Sequence, residues 1–279
     1  MIVFTLKVQP TVPLEAESLS PDNMVALDNA AIRGLPVFLG KRQLRVDDFF
    51  DVEGEASDEL EIRGDAARVK WIGRAMTRGR INIVGNAGTH LGAYMKGGTI
   101  DVTGNAADWV GGEMKNGLIR IAGNAGGQIG AAYRGSMQGM QNGTIVIGGT
   151  AGLEVGMRMR RGLIVIKGLV RDFCGLQMKG GTIVLCSGAE IRTGAWMIRG
   201  TVISLKPLKL LPTFLSVGRG NPTFLRIYAK HLKETLGLAI PCESADGAYE
   251  TYRGDTSVPG KGEILIWRPQ SQSVSEKSS

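Results

Sequence analysis

Apolar residues recur along residues 60–205 at a fixed spacing, and this spacing governs how the whole chain is interpreted. Apolar–x–apolar pairs begin at Ile81 and return after 19, 19, 26, 19, 19 and 19 residues, following a first step of 21 residues from Leu60. Alternation of branched apolar residues at period two predicts short strands with one buried face. A period of this size indicates a solenoid of stacked units. The pairs begin at Leu60, Ile81, Ile100, Ile119, Ile145, Ile164, Ile183 and Val202.

Glycines follow the predicted strands in the frame G-x-x-G-x-x-x-G. Each interior glycine costs a helix about 1 kcal/mol relative to alanine, so the frame argues against helices. The corners of a coil, by contrast, need positive φ angles or close approach of the backbone, and glycine permits both. The sequence therefore predicts an all-β fold, a right-handed parallel β-helix, which is a single-stranded solenoid of about seven 19-residue coils. The frame is complete in Gly85, Gly88 and Gly92, in Gly123, Gly126 and Gly130, and in Gly149, Gly152 and Gly156.

A methionine and then a turn glycine close each unit, and basic residues cluster just after the methionine. Because a 19-residue coil returns equivalent positions to one line, the fields of these cations add along one edge. We interpret this basic ladder as a site for an anionic partner, and the alternative is a set of solvated turn residues. The basic ladder consists of Lys96, Lys115, Arg160 and Lys179, with Arg161 and Arg199 one position further on.

A second ladder is made of amide side chains. Asn86, Asn105 and Asn124 take equivalent positions after the first glycine of their units, and Asp65 takes that position in the first coil. We interpret them as a stack of amide hydrogen bonds at a corner, as in stacked β structures generally. This ladder is therefore expected to be structural.

The segments on either side of the repeats carry signals of their own. Residues 1–55 are interpreted as an N-terminal cap, with a strand in residues 1–9 and a helix from Ser20 to Gly34, because the open edge of the first coil would otherwise invite pairing. Residues 56–205 are assigned to the β-helix. Residues 206–268 are interpreted as a C-terminal cap, with a helix of about 15 residues after Asn221 and Pro222 and a hairpin of strands at 249–252 and 263–267. Residues 269–279 are polar and serine-rich and are expected to be disordered.

Residues that could carry chemistry are few. His90, His231 and the three cysteines stand in different parts of the chain, so neither a zinc site nor an iron–sulfur cluster is suggested. Residues 254–262 superficially resemble a P-loop, but five residues rather than four separate the glycines, and neither Ser nor Thr follows Lys261. We therefore predict no catalytic residue and no metal ligand in this chain.

The net charge and the hydropathy of the sequence limit which partners and which cellular compartment are expected. The net charge of +7 invites an anionic partner, but basic–aromatic interleaving, zinc-finger spacing and a helix-turn-helix pattern are all missing, which argues against nucleic acid. The sequence has no run of 18 apolar residues and no signal-peptide pattern, so no membrane span is predicted. Three scattered cysteines suit a reducing cytoplasm, and each is interpreted as a small buried apolar residue.

The glycine frame resembles the GXGXG β-helix shared by the C-terminal domain of glutamate synthase large subunits and by the C subunit of formylmethanofuran dehydrogenase. Two flanking stretches favour the second family. Residues 35–55, with the texts LPVFLGKRQL and FFDVEGE, resemble the start of its coils, and residues 252–266, with YRGD and GKGEILI, resemble its closing hairpin. Bacterial methylotrophs hold a close version of this protein in the formyltransferase/hydrolase complex, and the chain resembles that form most.

The resemblance implies a non-catalytic structural subunit of a multi-subunit enzyme of one-carbon metabolism. In that family the partners are an amidohydrolase-type subunit, a second large subunit and, in the bacterial complex, a formyltransferase subunit. Together they pass a formyl group between tetrahydromethanopterin and a methanofuran-type carrier and release formate during formaldehyde oxidation, while the C subunit alone binds no cofactor. The glutamate-bearing tail of the carrier is the anion that the resemblance suggests for the basic ladder.

Other interpretations stay open on the sequence alone. One is the C subunit of a true formylmethanofuran dehydrogenase. Two from other classes are a self-standing β-helix enzyme, such as an acyltransferase or a polysaccharide lyase, and a glutamate synthase-type GXGXG domain. An acyltransferase helix repeats every six residues and a lyase groove usually gathers aspartates, whereas this chain steps by nineteen and has no aspartate ladder.

Overall fold

The structure, a computed structural model, describes residues 1–270 and consists mostly of β-strands. The N-terminal elements are β1 (Ile2–Leu6), β2 (Leu14–Glu15), a 3-10 helix (Pro21–Asn23), α1 (Asn29–Arg33), β3 (Pro36–Leu39), β4 (Arg42–Arg45), α2 (Val46–Phe49) and β5 (Phe50–Gly54). The repeats form β6 (Glu59–Arg63), β7 (Val69–Lys70), β8 (Arg80–Val84), β9 (Thr99–Val102), β10 (Leu118–Ile121), β11 (Thr144–Ile147), β12 (Leu163–Ile166), β13 (Lys179–Leu185) and β14 (Arg199–Ser204). The C-terminal elements are β15 (Leu215–Gly220), α3 (Phe224–Leu236), β16 (Gly247–Gly254) and β17 (Gly262–Pro269).

The repeats build the centre of a 13-stranded sheet. Each unit adds one strand, and β6 and β8 to β14 pair in parallel with their neighbours in chain order. The register places Ile81 opposite Ile100 and Ile100 opposite Ile119, so the predicted alignment of the repeats is confirmed.

The same residue types fill the interior of every unit. Ile81 and Ile83 are buried, and Ala87 forms an isolated parallel bridge with the equivalent alanine of the next unit. The methionine that follows each corner is buried and reaches under a turn glycine of the following unit. A Cβ atom on Gly98 would lie 2.5 Å from Met76 Cε. The interior therefore accepts few side-chain shapes at each position.

The frame glycines are needed for two different reasons. Gly92 has a φ of +61°, and a Cβ atom there would lie 2.6 Å from Ile119 Cδ1. At Gly149 the backbone is not left-handed, but a Cβ atom would lie 2.1 Å from Asn124 Oδ1. Positive φ and close approach of neighbouring coils both occur, as the sequence predicts.

The N-terminal segment joins the large sheet and partly departs from the prediction. Strand β1 lies between β5, to which it is antiparallel, and β6, to which it is parallel. The single helix predicted from Ser20 to Gly34 is wrong, since the chain forms a 3-10 helix and a separate α1. Asp28 interrupts the run because its side chain accepts a hydrogen bond from the Ala31 N–H at 2.7 Å and starts a new helix. A second sheet has the strand order β4-β3-β2-β7.

The C-terminal segment follows the prediction with one addition. Helix α3 ends before Gly237, whose φ is +62°, and the hairpin of β16 and β17 is antiparallel, so both elements are confirmed. Strand β17 extends the large sheet by pairing in parallel with β14. Strand β15 pairs with β16 and was not predicted, because Gly218 and Gly220 interrupt the alternation of apolar and polar residues along it.

The outward face of the large sheet changes character along the stack. On β11 to β14 and β17 the outward residues are apolar and pack against Leu225 and Leu232 of α3, and we name this the covered half. On β6 and β8 to β10 the same row continues with half-exposed polar side chains, and we name this the open half. In register the row runs Glu61, Asn82, Asp101, Arg120, Val146, Val165, Val184, Ile203 and Leu265.

Three further predictions concern the cysteines, the membrane and the tail. Cys174 is buried, whereas Cys186 and Cys242 are only partly buried, so the prediction of buried apolar roles holds for the first alone. No helix in residues 1–270 is both long enough and apolar enough to cross a bilayer. Of the tail predicted to be disordered, only Pro269 and Gln270 are within the described residues.

Candidate binding face at the corner of the coils

Every unit except the one with the extra residues turns back through a tight corner in which three alternating residues are left-handed. In the second unit His90, Gly92 and Tyr94 have φ angles of 64°, 61° and 59°. Two successive turns result, with hydrogen bonds from the Ala93 N–H to the His90 carbonyl at 3.2 Å and from the Met95 N–H to the Gly92 carbonyl at 3.2 Å. We name this segment the left-handed corner. Its non-glycine residues with positive φ are Trp71, Ala75, His90, Tyr94, Trp109, Glu113, Gln128, Glu154, Arg158, Phe173, Gln177, Arg192 and Trp196.

Five rings gather at the left-handed corner of the first units, and we name them the aromatic cluster: Trp71, His90, Tyr94, Trp109 and Tyr133. The rings of Trp71 and His90 stack at a centroid distance of 4.0 Å and an angle of 8°. Tyr133 comes from the segment with seven extra residues, and its ring stacks on Trp109 at 4.6 Å and 16°. The extra residues therefore fold back over the corner. Sequence reasoning missed this cluster because the corner position holds a different residue type in nearly every unit.

His90 lies half-buried inside the cluster. Its Nδ1 atom is 3.0 Å from the hydroxyl oxygen of Tyr133. Burial, followed by the nearby charge of Lys70, lowers the pKa of His90 below its ordinary value of 6.5, so the imidazole is neutral at pH 7. Burial likewise raises the pKa of the Tyr133 hydroxyl well above its ordinary value. Both side chains are therefore uncharged near neutral pH, and one can donate a hydrogen bond to the other.

The basic ladder lies two residues beyond the left-handed corner, on the turn that leads into each strand. The Lys96 N–H donates to the Met76 carbonyl at 2.7 Å and the Lys115 N–H to the Met95 carbonyl at 2.7 Å, so equivalent positions stack from coil to coil. Gln141 takes this position in the unit with the extra residues. All six side chains are exposed except that of Lys179, which is half-buried and donates to the Met137 carbonyl at 2.9 Å. The structure therefore brings the predicted ladder together on one edge.

The asparagine ladder exists, but its hydrogen bonds differ from those predicted. The side-chain oxygen of Asn86 accepts from the Asn105 N–H at 2.9 Å, and that of Asn105 accepts from the Asn124 N–H at 2.8 Å. Only the bond from Asn86 Nδ2 to Asp65 Oδ1, at 3.1 Å, joins two side chains of this ladder. Each amide therefore holds the backbone of the following coil in place.

The P-loop-like residues 254–262 connect β16 and β17 and serve as an internal tie. The buried Asp255 carboxylate accepts from the Trp196 N–H at 2.9 Å and from the Ser257 N–H at 2.9 Å. The loop is thereby fixed to the last coil. Across residues 1–270, no three side chains of His, Cys, Asp or Glu converge in a way that could hold a metal ion.

Known proteins share this combination of repeat and flanks. The GXGXG motif family matches residues 64–210. The Fhc C subunit of the formyltransferase/hydrolase complex of Methylorubrum extorquens is 40% identical over 264 residues, which cover 94% of this chain and 98% of that protein. In the crystal structure of the complex (FhcABCD) from the same organism with methylofuran, one chain matches with a TM-score of 0.86 and 32% identity, covering 95% of this chain and 98% of the other.

Archaeal proteins are similar as well. The C subunit of the tungsten-containing formylmethanofuran dehydrogenase 2 of Methanococcus maripaludis is 40% identical over 232 residues, which cover 82% of this chain and 85% of that protein. For the protein of the same name from Methanothermobacter thermautotrophicus, identity is 37% over 97 residues, and the match spans only 36% of the length of that relative. The chain belongs to the GXGXG family, among the C subunits of formyltransferase/hydrolase complexes and formylmethanofuran dehydrogenases.

Proposed function

We propose that this chain is the structural C subunit of a formyltransferase/hydrolase-type complex. Such a complex passes a formyl group between tetrahydromethanopterin and a methanofuran-type carrier and releases formate. The observation that carries the proposal is the similarity to the Methylorubrum protein, because it extends over both flanks as well as the repeats. In this proposal the catalytic groups belong to an amidohydrolase-type subunit, a second large subunit and a formyltransferase subunit. The unpaired cysteines suit a reducing compartment, so we expect the complex in the cytoplasm.

We infer that the stacked units wind as a right-handed parallel β-helix between two caps. Each unit contributes one parallel strand in register and one bridge in the row that begins at Ala66 and ends at Ala189. Connections between parallel strands of one sheet are right-handed in about 98% of cases. The proposed boundaries are residues 1–55 for the first cap, 56–205 for the coils and 206–268 for the second cap. The strands added at both ends of the stack support this division.

The basic ladder is proposed to bind an anion with several carboxylates, such as the glutamate-bearing tail of a methanofuran-type carrier. Within residues 1–270, none of its six side chains forms an ion pair with a carboxylate of the chain. An exposed ion pair contributes only about 0.2–1 kcal/mol, so several must form together. A polyanion that follows the stack could satisfy several cations at once, and its binding should weaken as salt rises.

Charge reversal tests the ladder in the complex isolated from its native host. We expect the Lys115→Glu/Arg160→Glu double variant to bind the carrier about 10-fold more weakly at low salt, with a smaller difference at high salt. Lys41→Glu/Arg42→Glu is the matched control, since it makes the same change in net charge on the exposed hairpin of β3 and β4. Equal affinity of wild type and both variants at low salt would show that the ladder consists of solvated turn residues. A wild-type preparation without companion subunits would overturn the proposed membership of a complex itself.

A second candidate is the C subunit of a formylmethanofuran dehydrogenase. The 40% identity to the Methanococcus protein over 82% of this chain favours it. The two candidates differ in their companions, because that relative belongs to an enzyme that contains tungsten. Elemental analysis of the purified complex separates them. Tungsten or molybdenum at a fixed ratio to this chain would support the dehydrogenase.

A further inference from the structure

We propose that the aromatic cluster, together with Arg74, is the contact surface for a loop of a partner subunit that presents hydrogen-bond acceptors, namely backbone carbonyls and carboxylates. The inference rests on the proposed membership of a multi-subunit complex, but it concerns a different surface from the basic ladder. Three observations lead to it: the backbone conformation at the corner, the types of side chain there, and the way the rings face one another.

The backbone at the left-handed corner favours glycine, yet the cluster places large side chains on it. Trp71 and Trp109 both have a φ of 67°. The left-handed conformation is unfavourable for any residue with a Cβ atom. Later units place Gln128 and Glu154 at the same position, so the coil itself does not require an aromatic ring there. The rings of the first units are therefore better explained by a contact outside the fold.

The composition of the corner is that of a protein–protein contact. Three of the four tryptophans of the chain, Trp71, Trp109 and Trp196, lie on left-handed corners. Tryptophan, tyrosine and arginine are the residues most enriched among those that dominate binding energy at interfaces. The cluster rings are half-buried and Arg74, although paired with Glu17, is exposed, so a partner can reach both.

The geometry of the rings argues against a planar ligand or a nucleic-acid base. Such ligands stack on free ring faces, whereas these rings face each other: Trp71 stacks on His90, and Trp109 stacks on Tyr133. The guanidinium of Arg74 lies over Trp71 at 5.4 Å from the ring centroid. The edge of an aromatic ring carries partial positive charge, so an acceptor oxygen of a partner can approach these rings edge-on.

The polar groups of the same surface also call for acceptors on the partner. Indole N–H, phenol O–H and guanidinium groups all donate hydrogen bonds. The nearby carboxylates already have partners within the chain. Glu17 pairs with Arg74 at 2.5 Å, Glu15 pairs with Lys70 at 3.4 Å, and Glu113 accepts from the Tyr133 N–H at 3.1 Å. Because these carboxylates are already paired, a second copy of this surface would offer few free acceptors, which disfavours self-association. A loop with free carbonyls and carboxylates complements it.

Competition for assembly tests this surface. A tagged variant is expressed beside the untagged wild-type chain in the native host, and its share of the assembled complex is measured by mass spectrometry. Trp71→Gly/Trp109→Gly removes two rings and also relieves the left-handed backbone, so it keeps the coil while deleting the contact. We expect its share to fall at least about tenfold. Phe173→Gly is the matched control, since Phe173 holds the same corner position with a φ of 60° but lies outside the cluster, and its share should equal that of wild type.

A second variant protects the test against misfolding. Arg74→Gln changes an exposed side chain and breaks its ion pair with Glu17, and we expect a loss of severalfold that shrinks at high salt. Glu17→Gln is its control, since it breaks the same ion pair but keeps the guanidinium and should match wild type; an equal loss there would assign the effect to the ion pair and contradict the proposal. Melting curves of the purified variants report whether each is folded, and Arg74→Gln decides if the glycine variant is not. Incorporation of both variants at the wild-type level would overturn the proposal and leave the cluster as an anchor for the extra residues. If tagged wild type brings down no companion subunits, the proposed function fails, and this inference fails with it.

Discussion

Along the large sheet, the open half and the covered half place the same side chains inside the coils but different ones outside. Ile81 of the open half and Ile164 of the covered half are both fully buried in the interior. On the outward face, Asn82 is half-exposed and donates to Glu61 Oε2 at 2.9 Å. The equivalent Val165 is fully buried in the cluster that includes α3. One repeat therefore supports two unlike exteriors.

The difference shows that the repeat determines one face of each strand and leaves the other available for local use. In the open half the outward row is held by pairs of side chains, such as Arg120 and Asp101, whose atoms meet at 2.5 and 2.9 Å. In the covered half it is held by a helix from outside the repeats. Since the two arrangements share an interior, changes inside should have equal effects in both halves, and changes outside should not.

The largest effect is expected from Gly92→Val and Gly156→Val, which probe the interior of each half. A Cβ atom on Gly92 would clash with the side chain of Ile119. Gly156 has a φ of +69°, and a Cβ atom there would lie 2.6 Å from Ile183 Cδ1. Backbone strain and a steric clash act together, so we expect each change to lower the free energy of unfolding by about 4 kcal/mol or more. Urea denaturation of the two variants measures this.

Gly135→Val provides the control for that comparison. Gly135 has a φ of +84°, but a Cβ atom there meets no atom within 4 Å. Strain acts alone at this site, and the expected loss is about 1–2 kcal/mol. If the Gly92 and Gly156 variants lose no more than the Gly135 variant, the clash with the neighbouring coil is not real. A large difference between the first two would show that the halves do not share one interior.

An intermediate effect is expected from Val184→Asp on the outward face of the covered half. A carboxylate there would be buried beneath α3, and we expect the free energy of unfolding to fall by about 3 kcal/mol or more. Ala122→Asp makes the matched change just beyond β10 of the open half, where Ala122 is exposed, and should cost less than about 1 kcal/mol. Faster amide hydrogen exchange in residues 224–236 of the Val184 variant would locate the damage in α3. Similar losses in the two variants would contradict the distinction between the halves.

The smallest effect is a pH dependence confined to the open half. Hydrogen bonds from Arg63 and then Asn82 hold the pKa of Glu61 below its ordinary value of 4.5. A group with a lowered pKa stabilises the folded protein above its unfolded pKa and loses that contribution as the pH falls through the folded value. The melting temperature of wild type relative to Glu61→Gln should therefore be highest above about pH 5 and decline below pH 4.5. A difference that does not change between about pH 6 and pH 3 would rule out this role for Glu61.

The interior could be predicted from the sequence because a buried position in a stacked coil accepts few shapes and therefore repeats them. Ile81, Met95 and Gly92 each recur as a type in the other units. The covered half also left a signal. Its strands read TIVI and LIVI, apolar on both faces, whereas β9 and β10 read TIDV and LIRI. Such runs are typical of strands buried on both sides, but they do not reveal which element covers them.

The aromatic cluster could not be predicted in the same way. Positive φ is expected of glycine and asparagine, yet Trp109, Gln128 and Phe173 share one left-handed position without sharing a side-chain type. The backbone there is set by the stacking of coils, which a search for repeated residues does not detect. Tyr133 joins the cluster from the extra residues, which interrupt the period, so its neighbours in space are also hidden in the sequence.

The methionines under the turn glycines have a consequence for how a protein of this kind can change its length. Met76 Cε fills the space beside Gly98 of the next coil, and Met159 Cε does the same beside Gly181. Each unit supplies the methionine of one such contact, and the following unit supplies the glycine. A duplicated whole coil would therefore pack against matching surfaces on both sides. The seven extra residues of the 26-residue unit lie at the corner and leave Met140 in the core. Descendants of such a chain can therefore lengthen by whole coils and acquire new surfaces at their corners without redesigning the interior.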